Sequence, residues 1–337
     1  IEKYTLSNRR GARVGIMTLG GIVTELHLPT GNDGKTIDVV LGFDSLEKYV
    51  AGHPFFGSII GRVAGRMTGD RFTLDGITHK VTPNDPPNHL HGGPGGFDKR
   101  VWHAEPLTDA NGVSSLNLSY LTPEGEEGYP GEVSARVTYT LTENNGLIVD
   151  QKATTTEATP LSMTHHSYFN LAGAGNGSVE NHTLQIEADS FMPTDEVMTL
   201  SGVPAPVRGQ PNDLTSPQRL GDVFPHLWKQ HGDLYKIRRS SSHDLEFVAR
   251  VTSPESGLTM EVFTTDRWIQ LYSGVSLDGS LIGKQGKPYS RYGAFCLECE
   301  GYPDGANRPD IDGIILRPGQ TYEETTVYRF GTIDSRF

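Results

Sequence analysis

The chain has 337 residues, 35 % of them hydrophobic and 21 % charged, with a net charge of −12. That much apolar material builds a large core and argues against disorder, and no run of about 18 apolar residues is present to cross a membrane as a helix. The acidic balance argues against nucleic acid and anionic membranes as partners and suits a neutral, polar substrate.

No charged-then-apolar leader opens the chain at Ile1. Three N-x-S/T triplets, at Asn117, Asn176 and Asn181, are short enough to arise by chance. The expected location is therefore cytoplasmic. Gly (40) and Pro (21) punctuate short runs of Val, Thr, Ile, Tyr and Phe, as in a strand-rich protein. Helical signals are few: Ser45–Val50 and Pro225–Gln230 carry a turn or two each.

In chain order, "IIGRVAGRM" (59–67) offers two arginines. Arg62 and Arg66 could clamp an anion, or Arg62 could present its planar fork to sugar hydroxyls. A structural arginine is the alternative for each. "RFTLDGITHKV" reads as a hairpin, with Asp75-Gly76 supplying the positive φ of a type I′ turn. "PNHLHGGPGGFDKRVW" (87–102) places His89 and His91 two apart, on one face of a strand. An H-x-H pair can start a metal site, but glycines and Pro94 follow where a further ligand is wanted, so no metal is expected. The glycines let backbone approach a ligand closely.

"SARVTYTLTENNGLIVDQKATT" alternates Ala135, Val137, Tyr139 and Leu141 with polar residues, then turns at Asn145-Gly146. In "MTHHSYFNLAG" (163–173) two histidines stand side by side in a β-prone run. On a strand they face opposite ways, so only one enters a given cleft. "GAGNGS" (173–178) is not followed by a helix signal and fails the context test for a dinucleotide loop. Long loops are expected around 204–225 and 285–292. "SSHDLEF" brings Asp244 to the start of a strand, and "GLTMEVFTTDRWIQLYSG" aligns Leu258, Met260 and Val262 on one face.

In "FCLECEGYPDGANRP" (295–309), Cys296, Glu298 and Glu300 share a face if the segment is extended. A carboxylate in an apolar run is costly unless paired, which singles out Glu298 as a functional acid or one half of a buried ion pair. Cys296 and Cys299, three apart on a strand, face opposite sides about 10 Å apart along the chain and cannot form a disulfide. Both read as free thiols in a reducing compartment. With no fixed-period repeat, linker or composition shift, residues 1–337 read as a single all-β domain, a large antiparallel β-sandwich.

Taken together, "GRVAGR", "LHGGPGGFDKRVW", "HHSYFNLAG", "CLE…YPDGANRP" and "LRPGQTYEETTVYRF" resemble the aldose 1-epimerase (galactose mutarotase) family across most of the chain. The resemblance implies that family's large antiparallel sandwich. It implies anomer interconversion of a free hexose such as galactose or glucose, without metal or cofactor, by a monomer or weak dimer. It makes His166 the general acid and Glu298 the general base. Arg62, His91 and Asp244 become sugar-binding residues. His166 then enters the cleft, with Tyr168 and Asn170 on its face, and His165 points away. The chemistry asks for Glu298 ionised and His166 protonated at rest. Two departures stand out: Cys299-Glu300 replaces a common Thr-Gln, and Gly65 replaces a common Asn.

Three rivals make different demands. A hexose-phosphate 1-epimerase needs a further basic cluster. A glycoside hydrolase needs a second carboxylate across the sugar from Glu298. A non-catalytic sugar-binding sandwich leaves the pairing of His166 with Glu298 unexplained.

Overall fold

Alternation of apolar and polar side chains turns most of the chain into antiparallel strands. The computed structural model describes residues 1–30, 35–110, 112–200, 202–241 and 243–333. Val133–Leu141 shows the pattern plainly: Val133, Ala135, Val137, Tyr139 and Leu141 are buried, and the residues between them are not. This strand lies in a nine-stranded sheet. The sheet is centred on Gly146–Thr155, Tyr322–Thr332 and Leu258–Thr264, each antiparallel to the next. In Leu258–Thr264 the apolar face is Leu258, Met260 and Val262, as the pattern predicts. Glu261, on the other face, is also buried, between Arg250 and Arg329.

A smaller five-stranded sheet holds, in order, Ala205–Pro206, Ala188–Met192, Gly232–Ile237, Trp268–Tyr272 and Cys296–Glu300. An N-terminal meander of four strands runs from Lys3 to Asp38. One continuous core joins the sheets. Tyr139, Val149 and Met260 of the large sheet pack in the same cluster as Ile269, Leu271, Leu297 and Cys299 of the small one and Val14 and Leu26 of the meander. Face-to-face packing over a shared apolar layer is the sandwich expected from the sequence.

Local expectations hold with small shifts. Leu74 pairs with Ile77 across Asp75 and Gly76, both at positive φ (50° and 82°). The next hairpin turns one residue early: Asn145 carries the positive φ of 60°, while Gly146 already pairs with Arg329. Among the described residues helix comes only in short pieces: Leu46–Ala51, the run of single turns from Leu220 to Gln230, and 3₁₀ turns at Phe97–Lys99, Glu126–Gly128 and Lys284–Gly286. None of the described helices is long and apolar enough to cross a membrane. Cys296 and Cys299 are both free and buried, Cys299 in the main core and Cys296 in a separate cluster on the far side of its strand.

Candidate active site

The same alternation that sends Leu297 and Cys299 into the core sends Cys296, Glu298 and Glu300 to the other face of the small sheet. There a cavity of about 180 Å³ opens over Glu298, with Gln270, Gly232 and Leu234 from the neighbouring strands in its lining. Glu298 is directly opposite Gln270, and Gln270 directly opposite Leu234, so the three form one row across three strands.

His166 reaches this cavity from the short strand Thr164–His166. Its Nε2 lies 3.3 Å from Glu298 Oε2. His165, one residue earlier, turns into the core between Tyr139 and Tyr328, with Nε2 3.0 Å from Ser167 Oγ. The adjacent histidines thus divide as strand geometry predicts. Tyr168 also lines the cavity. Asn170 does not: its strand has ended, and its amide ties down the carbonyls of Gly177 and Gly293.

His91 sits at φ 52° just past the strand His89–Leu90. A side chain at the following Gly92 would put Cβ 1.9 Å from the Gly61 carbonyl oxygen, so only glycine lets the two backbones close up here. The Gly65 N–H donates to His91 Nδ1 at 3.0 Å. A neutral imidazole that accepts at Nδ1 carries its hydrogen on Nε2, so His91 offers a donor to the cavity. Phe55 packs its ring on both His91 and His166.

The potential ligand atoms of His91, His166 and Glu298 lie within 4.8 Å of one another. Two histidines and a carboxylate are a familiar metal set. The Gly65 hydrogen bond, however, occupies His91 Nδ1 and keeps Nε2 protonated, so His91 has no lone pair to give. The other half of the H-x-H pair points elsewhere: His89 is held by the Thr82 carbonyl and the Tyr129 hydroxyl. The trio fits proton transfer and hydrogen bonding better than metal ligation.

Two sequence expectations are overturned. Arg62 is not at the cavity. It is 2 % exposed, and its guanidinium donates to the carbonyls of Pro130 and Pro123 and the hydroxyls of Thr159 and Thr122. Arg66 is the arginine that lines the cavity, with Nε 2.6 Å from Asp85 Oδ2. The reason lies in strand pairing: Arg66 is paired with Leu90, next to His91. Asp244 is also absent from the lining. It is exposed on the loop between Gly232–Ile237 and Glu246–Thr252, and its carbonyl accepts from Arg239. Gln270, His231 and Leu234 line the cavity without any local signal in the sequence, because only the pairing of distant strands brings them to Glu298.

Burial reverses the resting protonation that the chemistry asks for. Glu298 is pushed up to about 8, chiefly by desolvation, with Arg66 opposing. Desolvation pulls His166 down to about 3. Near neutral pH the pair therefore shares one proton, held as a neutral acid beside a neutral imidazole. Glu300 is fully enclosed, and neither of its carboxyl oxygens has a hydrogen-bond partner among the described residues. Burial and the neighbouring Glu298 and Asp266 hold it protonated. It lies behind the cavity wall: a Cβ on Gly65 would sit 2.4 Å from Pro303 Cγ and 3.0 Å from Glu300 Oε1. This crowding explains why glycine stands at position 65.

Residues 2–329 match the family model for aldose 1-epimerase. The chain belongs to the aldose 1-epimerase family. It is 42 % identical to bovine galactose mutarotase over 332 residues, covering 98 % of this chain and 94 % of that protein. To the aldose 1-epimerase of Escherichia coli K12 it is 34 % identical over 336 residues, covering 97 % and 94 %. Among solved structures, the GalM/aldose epimerase homologue of C. elegans superposes with a TM-score of 0.90 at 29 % identity, covering 99 % of both chains. Galactose 1-epimerase of Lactobacillus acidophilus gives 0.85 at 25 % identity, covering 98 % and 94 %. This epimerase is an isomerase that interconverts the α and β anomers of a free sugar.

Proposed function

We propose that His166 and Glu298 are the acid and base of this epimerase, acting on a free hexopyranose such as galactose or glucose. The observation that carries the reading is their 3.3 Å contact in a cavity that both line. One carboxyl group and one imidazole with one proton between them is the inventory that ring opening needs. The sugar enters with its hemiacetal against the two groups, O1 toward Glu298 and the ring oxygen toward His166. The shared proton moves to His166, leaving the Glu298 carboxylate beside Arg66, whose charge favours that form. Glu298 then takes the proton from O1–H while His166 delivers its proton to the ring oxygen. The C1–O5 bond breaks, the C1 aldehyde forms and rotates about C1–C2, and the reverse transfers close the ring on the other face. No proton has to come from solvent during the cycle. Each positioned group is worth roughly 10²–10⁴-fold. His91 Nε2–H and the free N–H groups of Arg66 donate to sugar oxygens; Gln270, whose Nε2 is held by the Leu271 carbonyl, offers Oε1 as an acceptor.

A phosphorylated hexose is disfavoured: among the described residues Arg66 is the one arginine or lysine lining the cavity, and Asp85 already engages it. Among the described residues Glu298 is the one lining carboxylate, which leaves a glycoside hydrolase without its partner. Polarimetry tests the reading. Fresh α-galactose or α-glucose should relax faster to its equilibrium rotation with no new product. Release of a new sugar, or no acceleration, overturns it.

A further inference from the structure

The imidazole of His166 is held by rings and not by hydrogen bonds. One ring nitrogen, Nε2, faces Glu298 at 3.3 Å. The other, Nδ1, is buried and has no hydrogen-bond partner in any other described residue. A histidine that moves protons is ordinarily aimed by a hydrogen bond at its second nitrogen. His91, beside it, is fixed in that way by the Gly65 N–H. On His166, Tyr168 stacks at 5.3 Å and 20°, Phe55 stacks at 5.7 Å and 29°, and the His91 ring meets it edge-on at 5.2 Å.

Tyr168 comes from two residues further along the same segment, but Phe55 has to be brought there. The strand Ser58–Ile60 pairs with Thr164–His166, and the Gly57 N–H donates to the His166 carbonyl at 3.0 Å, so the residues just before that strand lie beside the imidazole. Phe55 turns its ring to the cavity at φ 61°, in the left-handed region that bulky residues rarely adopt. The ring gains little core for this strain. It is half-buried, whereas the adjacent Phe56 is wholly buried and packs on Phe43, Tyr168 and Tyr289. Phe55 instead touches His166, the ring of His91 at 4.7 Å, and the Lys99 ammonium 5.0 Å from its centroid. Strain that serves the site's own histidines points to function more than to stability.

We infer that Phe55 is a positioning residue for the general acid: its stacked ring fixes the angle of the His166 imidazole and keeps Nε2 aimed at the reacting proton. The inference rests on the proposed acid–base pair and adds to it the part that aims the acid. Misplacing a catalytic group by about 1 Å costs up to roughly 10²-fold in rate, and that sets the expected scale.

The experiment is polarimetry on fresh α-galactose or α-glucose with substitutions at Phe55, each made in the wild-type and in the His166→Asn background. Phe55→Leu removes the flat ring and should lower kcat roughly 10- to 100-fold, while KM moves by less than about threefold. Phe55→Tyr keeps the stacked face and should recover most of that loss. In the His166→Asn background no acid is left to aim, so Phe55→Leu should cost at most about twofold more. A loss of the same size in both backgrounds overturns the inference, because it marks a structural or sugar-contact role. An unchanged kcat, or an effect confined to KM, overturns it as well. Phe55→Gly suits φ 61° and removes the ring without straining the backbone, so it decides the matter on the same criteria if Phe55→Leu does not fold. Failure of the wild-type protein to accelerate either sugar overturns the underlying acid–base reading instead, and the positioning role with it.

Discussion

The two faces of the small sheet are equally shielded from water and yet do opposite things. On one face Cys299, 2 % exposed, sits in the main core with Leu297 and Ile269. On the other, Glu298, also 2 % exposed, meets His166 and Arg66 in the cavity. Burial therefore does not separate core from site. What separates them is the balance of polar groups. The core face asks for nothing, whereas the cavity face holds ionisable groups whose charged forms are disfavoured until a ligand supplies partners. Such a face costs stability and is retained where chemistry needs it.

Glu298→Gln breaks the cavity face most severely. The amide keeps the volume and removes the base, so kcat should fall by roughly 10²-fold or more, read by polarimetry under saturating sugar. The adjacent histidines then separate the faces directly. His166→Asn should lose turnover on the same scale. His165→Asn should leave kcat within a few-fold and lower the urea midpoint, because an amide in the core goes partly unpaired at about 1–3 kcal/mol. A larger kinetic loss at His165 with the fold intact would erase the distinction.

The arginines repeat the contrast one layer out. Arg66→Met should raise KM and lower kcat/KM, since its N–H groups face the sugar. Arg62→Met should leave kcat/KM unchanged and destabilise the fold by about 2 kcal/mol, because the carbonyls of Pro130 and Pro123 lose their donor.

The pH profile sharpens the comparison without mutation. Glu298 is held up to about 8 and His166 down to about 3. The pair keeps its single proton across the interval, so kcat/KM should be flat from pH 5 to 7 and fall above about pH 8 as that proton is lost. An acidic limb near pH 6 would contradict the shared-proton state.

Glu300→Gln should have little kinetic effect. Glu300 already holds its proton, so the isosteric amide should change the rate at pH 7 by no more than a few-fold. Stability carries the signal instead. A carboxyl whose pKa is raised by folding binds more protons in the folded than in the unfolded chain, so stability falls as pH rises above the unfolded value near 4.5. Glu300→Gln removes that dependence, and its advantage over the wild type in urea unfolding should grow between pH 5 and 7. A constant difference would mean that Glu300 is ionised in the fold.

Much of this was legible along the chain. Strand alternation said that only one of His165 and His166 could enter the cleft, and the family resemblance named His166; alternation also separated Cys296 from Cys299 and put Glu298 on a face with Cys296 and Glu300. The Asp75-Gly76 hairpin and the β-sandwich followed from turn chemistry and patterning. These are local properties: a period of two residues fixes which way a side chain points without reference to the rest of the molecule. The sequence misplaced Arg62 and Asp244 and was silent on Gln270 and Leu234. Which arginine meets His91 depends on the pairing of Arg66 with Leu90, and which residues extend the row from Glu298 depends on registers between strands about 30 residues apart in the chain. The resting protonation of the acid–base pair was likewise undecided, because it is set by how completely the tertiary structure removes water from both groups. Periodicity determines the face of a strand; only the packing of distant strands determines what that face meets and how strongly it is charged.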